Sequence, residues 1–184
     1  TGTLNMADLA TRLPEIEQSI VIFVGFGFMI AGILVKAAVF PVHIWLPAAY
    51  SYAPSAVSIL LAAIATKASI YVLARLIFTV FGGFADMIGA ALTMVIIPLS
   101  VMGIFVGTIM AIYESDIKKL LAQSSIAQIG YITLGFGLAS KSGVAAGFIH
   151  IGNHALIKGG LFMAVAGFFT AMRSRVDLNS LTGI

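Results

Sequence analysis

Cysteine is absent from this sequence, and charge is scarce. With no cysteine among 184 residues, disulfide scaffolds, thiolate metal sites, iron–sulfur clusters and thiol catalysis are excluded. Charged residues make up 9% of the chain, against about 25% in a soluble domain, and hydrophobic residues make up 60%. Disordered chains require the opposite balance. The few basic residues are scattered, so we expect no nucleic-acid partner, and the composition indicates an integral membrane protein.

Long apolar runs occupy most of the chain. A bilayer core of about 30 Å needs about 20 mostly apolar residues in each spanning helix. Five such runs occur, at approximately 19–40, 55–81, 87–113, 120–140 and 142–172. The short alternating segments of a membrane β-barrel are missing. The sequence therefore predicts an all-α polytopic bundle of five transmembrane helices, forming a single membrane domain over residues 1–184.

Proline and capping residues mark the breaks between these runs. Pro41, Pro47 and Pro54 bracket the uncharged segment PVHIWLPAAYSYAP, where a missing N–H ends one helix and starts the next. Asp116 lies where an N-cap would open the fourth span. Pro98 is the one proline inside a span and predicts a kink there.

The basic residues divide unequally between the two sides of the predicted bundle. Lys118, Lys119, Arg173 and Arg175 fall on one side, and Arg12 and Lys141 on the other. By the positive-inside rule this places the N-terminus outside and the DIKK loop in the cytoplasm. We expect a multi-pass protein of a bacterial or archaeal cell (inner) membrane. The first residue is Thr and no basic leader is present, so we expect an internal piece of a longer membrane protein.

Five ionisable residues within the spans carry the functional information. They are Lys36, Lys67, His150, His154 and Lys158. A lysine at the bilayer centre costs about 2.5–3.5 kcal/mol on insertion scales, so each needs a compensating reason. Lys36 lies near the end of its run, where snorkelling to the interface is an alternative. Lys67 and Lys158 are central, and their ammonium groups are too far from either surface to snorkel.

No span supplies an acid for these lysines. The stretch between Glu17 and Asp86 contains no Asp or Glu, and every acid of the chain falls in a terminus or a loop. A buried lysine without a counter-ion either loses its proton or finds a partner in another segment. Either outcome suits a proton relay, and it implies that the carboxylate partner lies elsewhere in the protein.

The last span carries a polar stripe. His150, His154 and Lys158 recur at i, i+4 and i+8, so they share one helix face over about 12 Å. Such a stripe can pass protons directly or through one water. Structural histidines, zinc bound by the HxxxH pair, and haem are alternatives. Zinc lacks a third ligand and haem lacks a facing histidine other than His43, so we predict no metal and no cofactor.

Small residues in the spans are interpreted as close helix contacts. They are Gly25, Gly27, Gly32, the pair Ala62 and Ala63, and the pair Gly159 and Gly160. No nucleotide fold, nucleophile elbow or paired-carboxylate site is recognisable, so the chain has no autonomous catalytic site of its own.

Three segments in order resemble motifs of one known family. They are VKAAVFPVHIWLPAAYSYAPSAVSILLAAIATKASIYVLAR, SDIKKLLAQSSIAQIGY and FIHIGNHALIKGGLFM. The chain resembles the antiporter-like subunits of respiratory complex I, membrane-bound hydrogenases and Mrp-type cation/proton antiporters, and the likeness covers almost its whole length. That family has about fourteen helices with inverted repeats. The resemblance implies that this chain corresponds to the seventh to eleventh of them.

The resemblance also assigns roles to the predicted residues. Lys36 matches a lysine on a broken helix that pairs with a glutamate of an earlier helix. Lys67 matches a lysine that connects two half-channels, and the polar stripe leads toward a terminal lysine or glutamate. The implied function is proton translocation, with or without Na+, as a subunit of a multisubunit complex in the lipid bilayer.

The sequence motifs identify the family more specifically than they identify the subtype within it. The segments GTLNMADL and NHALIKGGLF are similar to the D-type subunit of Mrp antiporters. A proton-pumping subunit of an NADH:quinone oxidoreductase or an energy-converting hydrogenase is the alternative, in which case the chain belongs to an enzyme complex. A haem- or quinone-binding subunit and a purely structural subunit are the remaining hypotheses.

Overall fold

The computed structural model describes residues 2–15 and 20–172, without the side chains of 85–87 and 172. Arg173 and Arg175, two of the basic residues that bear on orientation, lie outside the described residues. Within them the chain is helical and contains no strand. The helices are α1 (Met6–Arg12), α2 (Ile20–Ala37), α3 (Trp45–Tyr52), α4 (Ser55–Leu60), α5 (Thr66–Arg75), α6 (Ala85–Ala91), α7 (Ile97–Ile112), α8 (Ile117–Gly137) and α9 (Lys141–Met172).

Two of the long helices are interrupted by π-helical turns. Leu61–Ala65 joins α4 to α5, and Leu76–Val80 extends α5, so that Ser55–Val80 is one continuous helix. Leu92–Ile96 joins α6 to α7. That turn ends two residues before Pro98, the residue predicted to disturb this span, because proline lacks the N–H that a regular helix needs there.

Four of the described helices are long and apolar enough to cross a membrane. They are Ile20–Ala37, Ser55–Val80, Ile88–Ile112 and Lys141–Ala171, and each coincides with a predicted span. The predicted fold class, an all-α polytopic membrane bundle, is therefore confirmed.

The remaining predicted span is α8, which is long enough to cross but more polar. Its 21 residues extend for about 31 Å at 1.5 Å per residue. It packs closely between two neighbours: a Cβ at Gly107 of α7 would lie 2.7 Å from the Ala127 nitrogen, and one at Gly143 of α9 would lie 2.7 Å from the Gly135 oxygen. Thirteen of its residues are buried, so its polar side chains face protein rather than lipid. Asp116 caps it as predicted, accepting from the Lys119 nitrogen at 3.1 Å.

The predicted close contacts at glycine are correct only in part. Gly159 approaches the π turn, with a Cβ there 3.6 Å from the Ala63 Cβ. At Gly25, Gly27 and Gly32, by contrast, no other described atom comes within 4 Å of an added Cβ. The α7–α8 and α8–α9 crossings hold the close approaches instead. A single sequence shows which residues are small, but not which face of a helix meets another.

The break between α2 and α3 follows a Schellman motif built on alanine. Ala38 has a left-handed φ of 56° and is fully buried. The Val39 nitrogen donates to the Leu34 oxygen at 3.0 Å, and the Ala38 nitrogen donates to the Val35 oxygen at 3.1 Å. Pro47 lies in the first turn of α3, where its missing N–H costs no helical bond. The predicted proline-bracketed segment therefore follows the end of α2 and contains the short helix α3.

Candidate functional site

Lys67 is buried beside the first π turn. It is the second residue of α5, its residue is 4% exposed, and its Nζ donates to the carbonyl oxygen of Ala62. The preceding carbonyl, that of Leu61, accepts from the Tyr50 hydroxyl at 3.1 Å. The π turn thus offers backbone oxygens to side chains in the middle of a spanning helix, and one of them holds the ammonium group.

Lys158 is buried between α9 and α8. The residue is 3% exposed, and its Nζ donates to the Leu121 oxygen at 2.8 Å and to the Ser124 Oγ at 2.5 Å. Both acceptors belong to α8 and both are neutral. The ammonium is therefore satisfied by polar groups and not by an ion pair.

The two histidines of the stripe stack one turn apart on α9, as the spacing predicted. Their rings are 6.1 Å apart and inclined by 14°. The Nε2 of His150 lies 2.7 Å from the Gln128 Oε1. His154 is 1% exposed, and neither of its ring nitrogens has a hydrogen-bond partner in the part of the chain that the structure describes. A buried imidazole left in this state costs free energy, which marks it as a functional candidate.

Lys67, His154 and Lys158 form one buried cluster where α9 meets the helix that carries Lys67. The contact of Gly159 with Ala63 brings α9 against the π turn four residues before Lys67, and Lys158 is the residue next to Gly159. All three side chains are buried. Among the described side chains, no hydrogen bond or salt bridge joins an acid to any of the three. Adding a proton to one of them therefore disfavours a proton on the others.

His150 opens onto a pocket at the α8–α9 surface. The pocket has a volume of about 490 Å³, and Gln128, Tyr131, His150 and Asn153 contribute its polar side chains. The stripe therefore runs from an open, polar end at His150 to a closed end at Lys158. Among the described residues, no group of three or more His, Cys, Asp or Glu side chains could hold a metal ion.

The NADH:quinone oxidoreductase/Mrp antiporter transmembrane family matches residues 1–184 of the sequence. The chain belongs to this family. The N-type subunit of the NADH-quinone oxidoreductase of Desulforudis audaxviator is 42% identical over 167 residues, which are 91% of this chain and 33% of that protein. The D-type subunit of the Na+/H+ antiporter of Alkalihalophilus pseudofirmus is 33% identical over 187 residues, covering 100% of this chain and 36% of that protein.

Solved structures of the family share the fold. The Mrp complex from a Dietzia species superposes with a TM-score of 0.80 at 30% identity, over 91% of this chain and 30% of that one. The membrane-bound sulfane sulfur reductase, an archaeal respiratory membrane complex, gives a TM-score of 0.80 at 34% identity, over 92% of this chain and 34% of that one. This chain therefore spans about a third of the length of the family members it matches.

Lys36 is the predicted site residue that lies apart from both the cluster and the polar stripe of α9. It lies in the last turn of α2, directly before the break, and is exposed. It makes no hydrogen bond or ion pair with other described residues. Its neighbour Val35 is tied across the break, because the Trp45 Nε1 donates to the Val35 oxygen at 2.9 Å.

Sequence reasoning missed the α8 side of the site. Ser124 and Gln128, which contact Lys158 and His150, stand four residues apart, so α8 carries a polar stripe of the same spacing as the one on α9. The matching four-residue spacing of polar residues in the last two spans is the sequence signal that could have identified Ser124 and Gln128. His43 was weighed only as a haem ligand; it is 5% exposed in the α2–α3 break, stacks on Phe40 at 5.4 Å, and its Nδ1 has no described partner.

Proposed function

We propose that this chain is the central part of a proton-translocating subunit of a multisubunit membrane complex, with the Mrp-type cation/proton antiporter as the leading identity. The buried cluster of Lys67, His154 and Lys158 carries the proposal. Membrane helices rarely retain such groups without function, since each has an insertion cost. The D-type antiporter subunit of Alkalihalophilus pseudofirmus, alike over the full length of this chain, supports the antiporter identity.

Repulsion within the cluster supplies the driving step. Lys67 and Lys158 are held by uncharged oxygens, so no carboxylate fixes either proton in place. A proton that arrives on one lysine therefore favours release from the next, and His154, one turn from Lys158 on the same helix, is the proposed carrier. The Ser124 hydroxyl can rotate while remaining bonded to Lys158, which suits a group that exchanges its proton. His150 and Gln128 then connect this cluster to the open pocket.

Lys36 has a separate role in this proposal. Its exposed position before the α2 break leaves its ammonium free to meet a carboxylate from another segment of the full-length subunit. Approach of that carboxylate stabilises the charged lysine and its withdrawal destabilises it, so Lys36 loads and releases the proton. In this proposal the whole complex exchanges the proton for a cation, Na+ included. The complex contains other membrane subunits and lies in a bacterial or archaeal cell membrane.

A second identity is favoured by a specific observation. The 42% identity to the N-type subunit of the Desulforudis audaxviator NADH-quinone oxidoreductase exceeds the 33% identity to the Alkalihalophilus pseudofirmus antiporter subunit. In that case the same relay pumps protons within an oxidoreductase. Purification of the native complex distinguishes the antiporter from the oxidoreductase, because redox subunits co-purify only with an oxidoreductase subunit.

The test replaces Lys67 with Ala in the full-length subunit within its complex. Proton movement into inverted membrane vesicles is followed with a pH-sensitive dye, and assembly is checked by native gel electrophoresis. We expect an assembled complex without proton-coupled activity. Lys141→Ala is the matched control, because Lys141 is an exposed lysine at the start of α9. Full activity of the Lys67→Ala complex would refute the relay.

A further inference from the structure

Lys118 is a third buried lysine, and it joins three helices. The residue is 6% exposed although the sequence places it at the edge of the DIKK loop. Its Nζ donates to the Ala53 oxygen at 3.0 Å and lies 5.0 Å from the ring centre of Phe169. Ala53 is the residue that ends α3, and Phe169 belongs to α9. One side chain of α8 therefore contacts both α3 and α9.

Local energetics do not explain this lysine. It sits in the first turn of α8, where the helix dipole disfavours a cation, and its burial adds a desolvation cost. The gain comes from the acceptor, because a cation at the carboxyl end of α3 complements that helix's dipole and bonds to the carbonyl of its C-cap residue. The contact with the aromatic ring adds to this gain. Lys118 is therefore placed for tertiary docking.

A second contact fixes the same end of α3. The Ser51 hydroxyl donates to Oδ2 of Asp116 at 3.2 Å, while Oδ1 of Asp116 caps α8. The last turn of α3 is thus held at Ser51 and at Ala53 by the first residues of α8. An eight-residue helix is too short to be stable alone, so its position depends on tertiary contacts, these two at its carboxyl end among them.

Tyr50 links α3 to the π turn that holds Lys67. Tyr50 is 1% exposed and packs edge-on against Phe162 of α9, with ring centres 5.4 Å apart. Its hydroxyl donates to the Leu61 oxygen in the π turn, next to Ala62, whose oxygen accepts from Lys67. A shift of α3 would move Tyr50, and with it the turn that holds the Lys67 ammonium.

We propose that Lys118 is a positioning residue that docks α3 onto α8 and α9 and so sets the acceptor geometry of Lys67. The role rests on the proposed function, because it matters only if Lys67 moves protons. Lys118 is not part of the proton path.

The experiment compares Lys118→Gln, Lys118→Arg and Lys119→Gln in the full-length subunit within its complex. Lys119 is the matched control, since it is the neighbouring lysine in the same first turn of α8 and is only half-buried. Hydrogen exchange of peptides covering residues 45–58 reports the docking of α3. The pH profile of proton transport in vesicles reports the geometry at Lys67.

For Lys118→Gln we expect faster exchange over 45–58, a displaced pH profile and a transport rate lowered about tenfold. Lys118→Arg should recover both readouts in large part, because the guanidinium keeps the charge and the donors. Unchanged exchange would refute the docking, and faster exchange with wild-type transport and pH profile would refute the positioning role. A wild-type complex that moves no protons would overturn the proposed function and this role together, whereas the exchange data alone would still decide the docking.

Discussion

Replacing Lys158 with Met tests whether the buried lysines serve transport or structure. Methionine is similar in length and apolar, so it fills the space without a cavity. The substitution removes two hydrogen bonds, to the Leu121 oxygen and to the Ser124 Oγ. Neither acceptor is then left unpaired. The Leu121 oxygen still accepts from the Ser124 hydroxyl at 3.0 Å and from the Ser125 hydroxyl at 2.8 Å.

The magnitude follows from these contacts. Hydrogen bonds between membrane helices contribute about 0.6 kcal/mol each, with a maximum of about 1.7 kcal/mol. Loss of two therefore costs about 1–3 kcal/mol. Removal of a lysine from the bilayer centre returns about 2.5–3.5 kcal/mol on insertion scales. The two terms nearly cancel, so Lys158→Met should leave the stability of the subunit unchanged or slightly raised while proton transport is lost.

The assay is the melting temperature of the detergent-solubilised complex, measured alongside transport in vesicles. Lys141→Met is the matched control, since Lys141 is an exposed lysine on the same helix and should change neither quantity. A destabilised Lys158→Met complex that still transports protons at the wild-type rate would refute the reasoning and show that Lys158 is a structural residue.

Two further predictions concern the edges of the site. Lys36→Ala should abolish proton-coupled transport, because it removes the proposed proton-loading group. Assembly should stay intact, since Lys36 makes no hydrogen bond or ion pair with a described residue. Normal transport, measured in vesicles, would contradict its assigned role. Gly107→Ala should destabilise the subunit by about 1–3 kcal/mol, because its Cβ would lie 2.7 Å from the backbone nitrogen of Ala127. Gly152→Ala on α9, with no described atom within 4 Å, is the control, and equal melting temperatures for the two variants would argue against the tight α7–α8 crossing.

The sequence predicted the fold well because the apolar runs are long. Four spans coincide with helices that qualify on length and apolarity alone. Of the irregularities inside them, only the π turn near Pro98 had a signal in the sequence. Ala38 adopts a left-handed conformation that is usually reserved for glycine, so the sequence places the end of the first span at Pro41, a few residues beyond the observed end of α2 at Ala37. The π turn at Leu61–Ala65 has no such signal, and its Leu61 oxygen accepts from the distant Tyr50 hydroxyl.

The candidate site was predicted on one side only. Ionisable residues stand out in an apolar span, which is why the sequence alone singles out Lys67, His154 and Lys158. Their neutral partners on α8 did not stand out, since serine and glutamine are common at helix contacts. Lys118 was interpreted as a surface charge that sets orientation, because proximity to a loop says nothing about which side chains pack over it.

The three buried lysines share one kind of partner. Each donates to a main-chain oxygen: Lys67 to Ala62, Lys158 to Leu121 and Lys118 to Ala53. Inside a regular helix those oxygens are already bonded, so a side chain can best reach one at a π turn, at a helix end or beside serines that share it. All three situations occur here, one for each lysine. A carboxylate would hold an ammonium by direct attraction, whereas a carbonyl satisfies its hydrogen bond without fixing the charge. At Lys67 an irregular turn therefore takes the place of the acid that the spans lack, whereas Lys158 finds its acceptor in a regular helix whose serines share it.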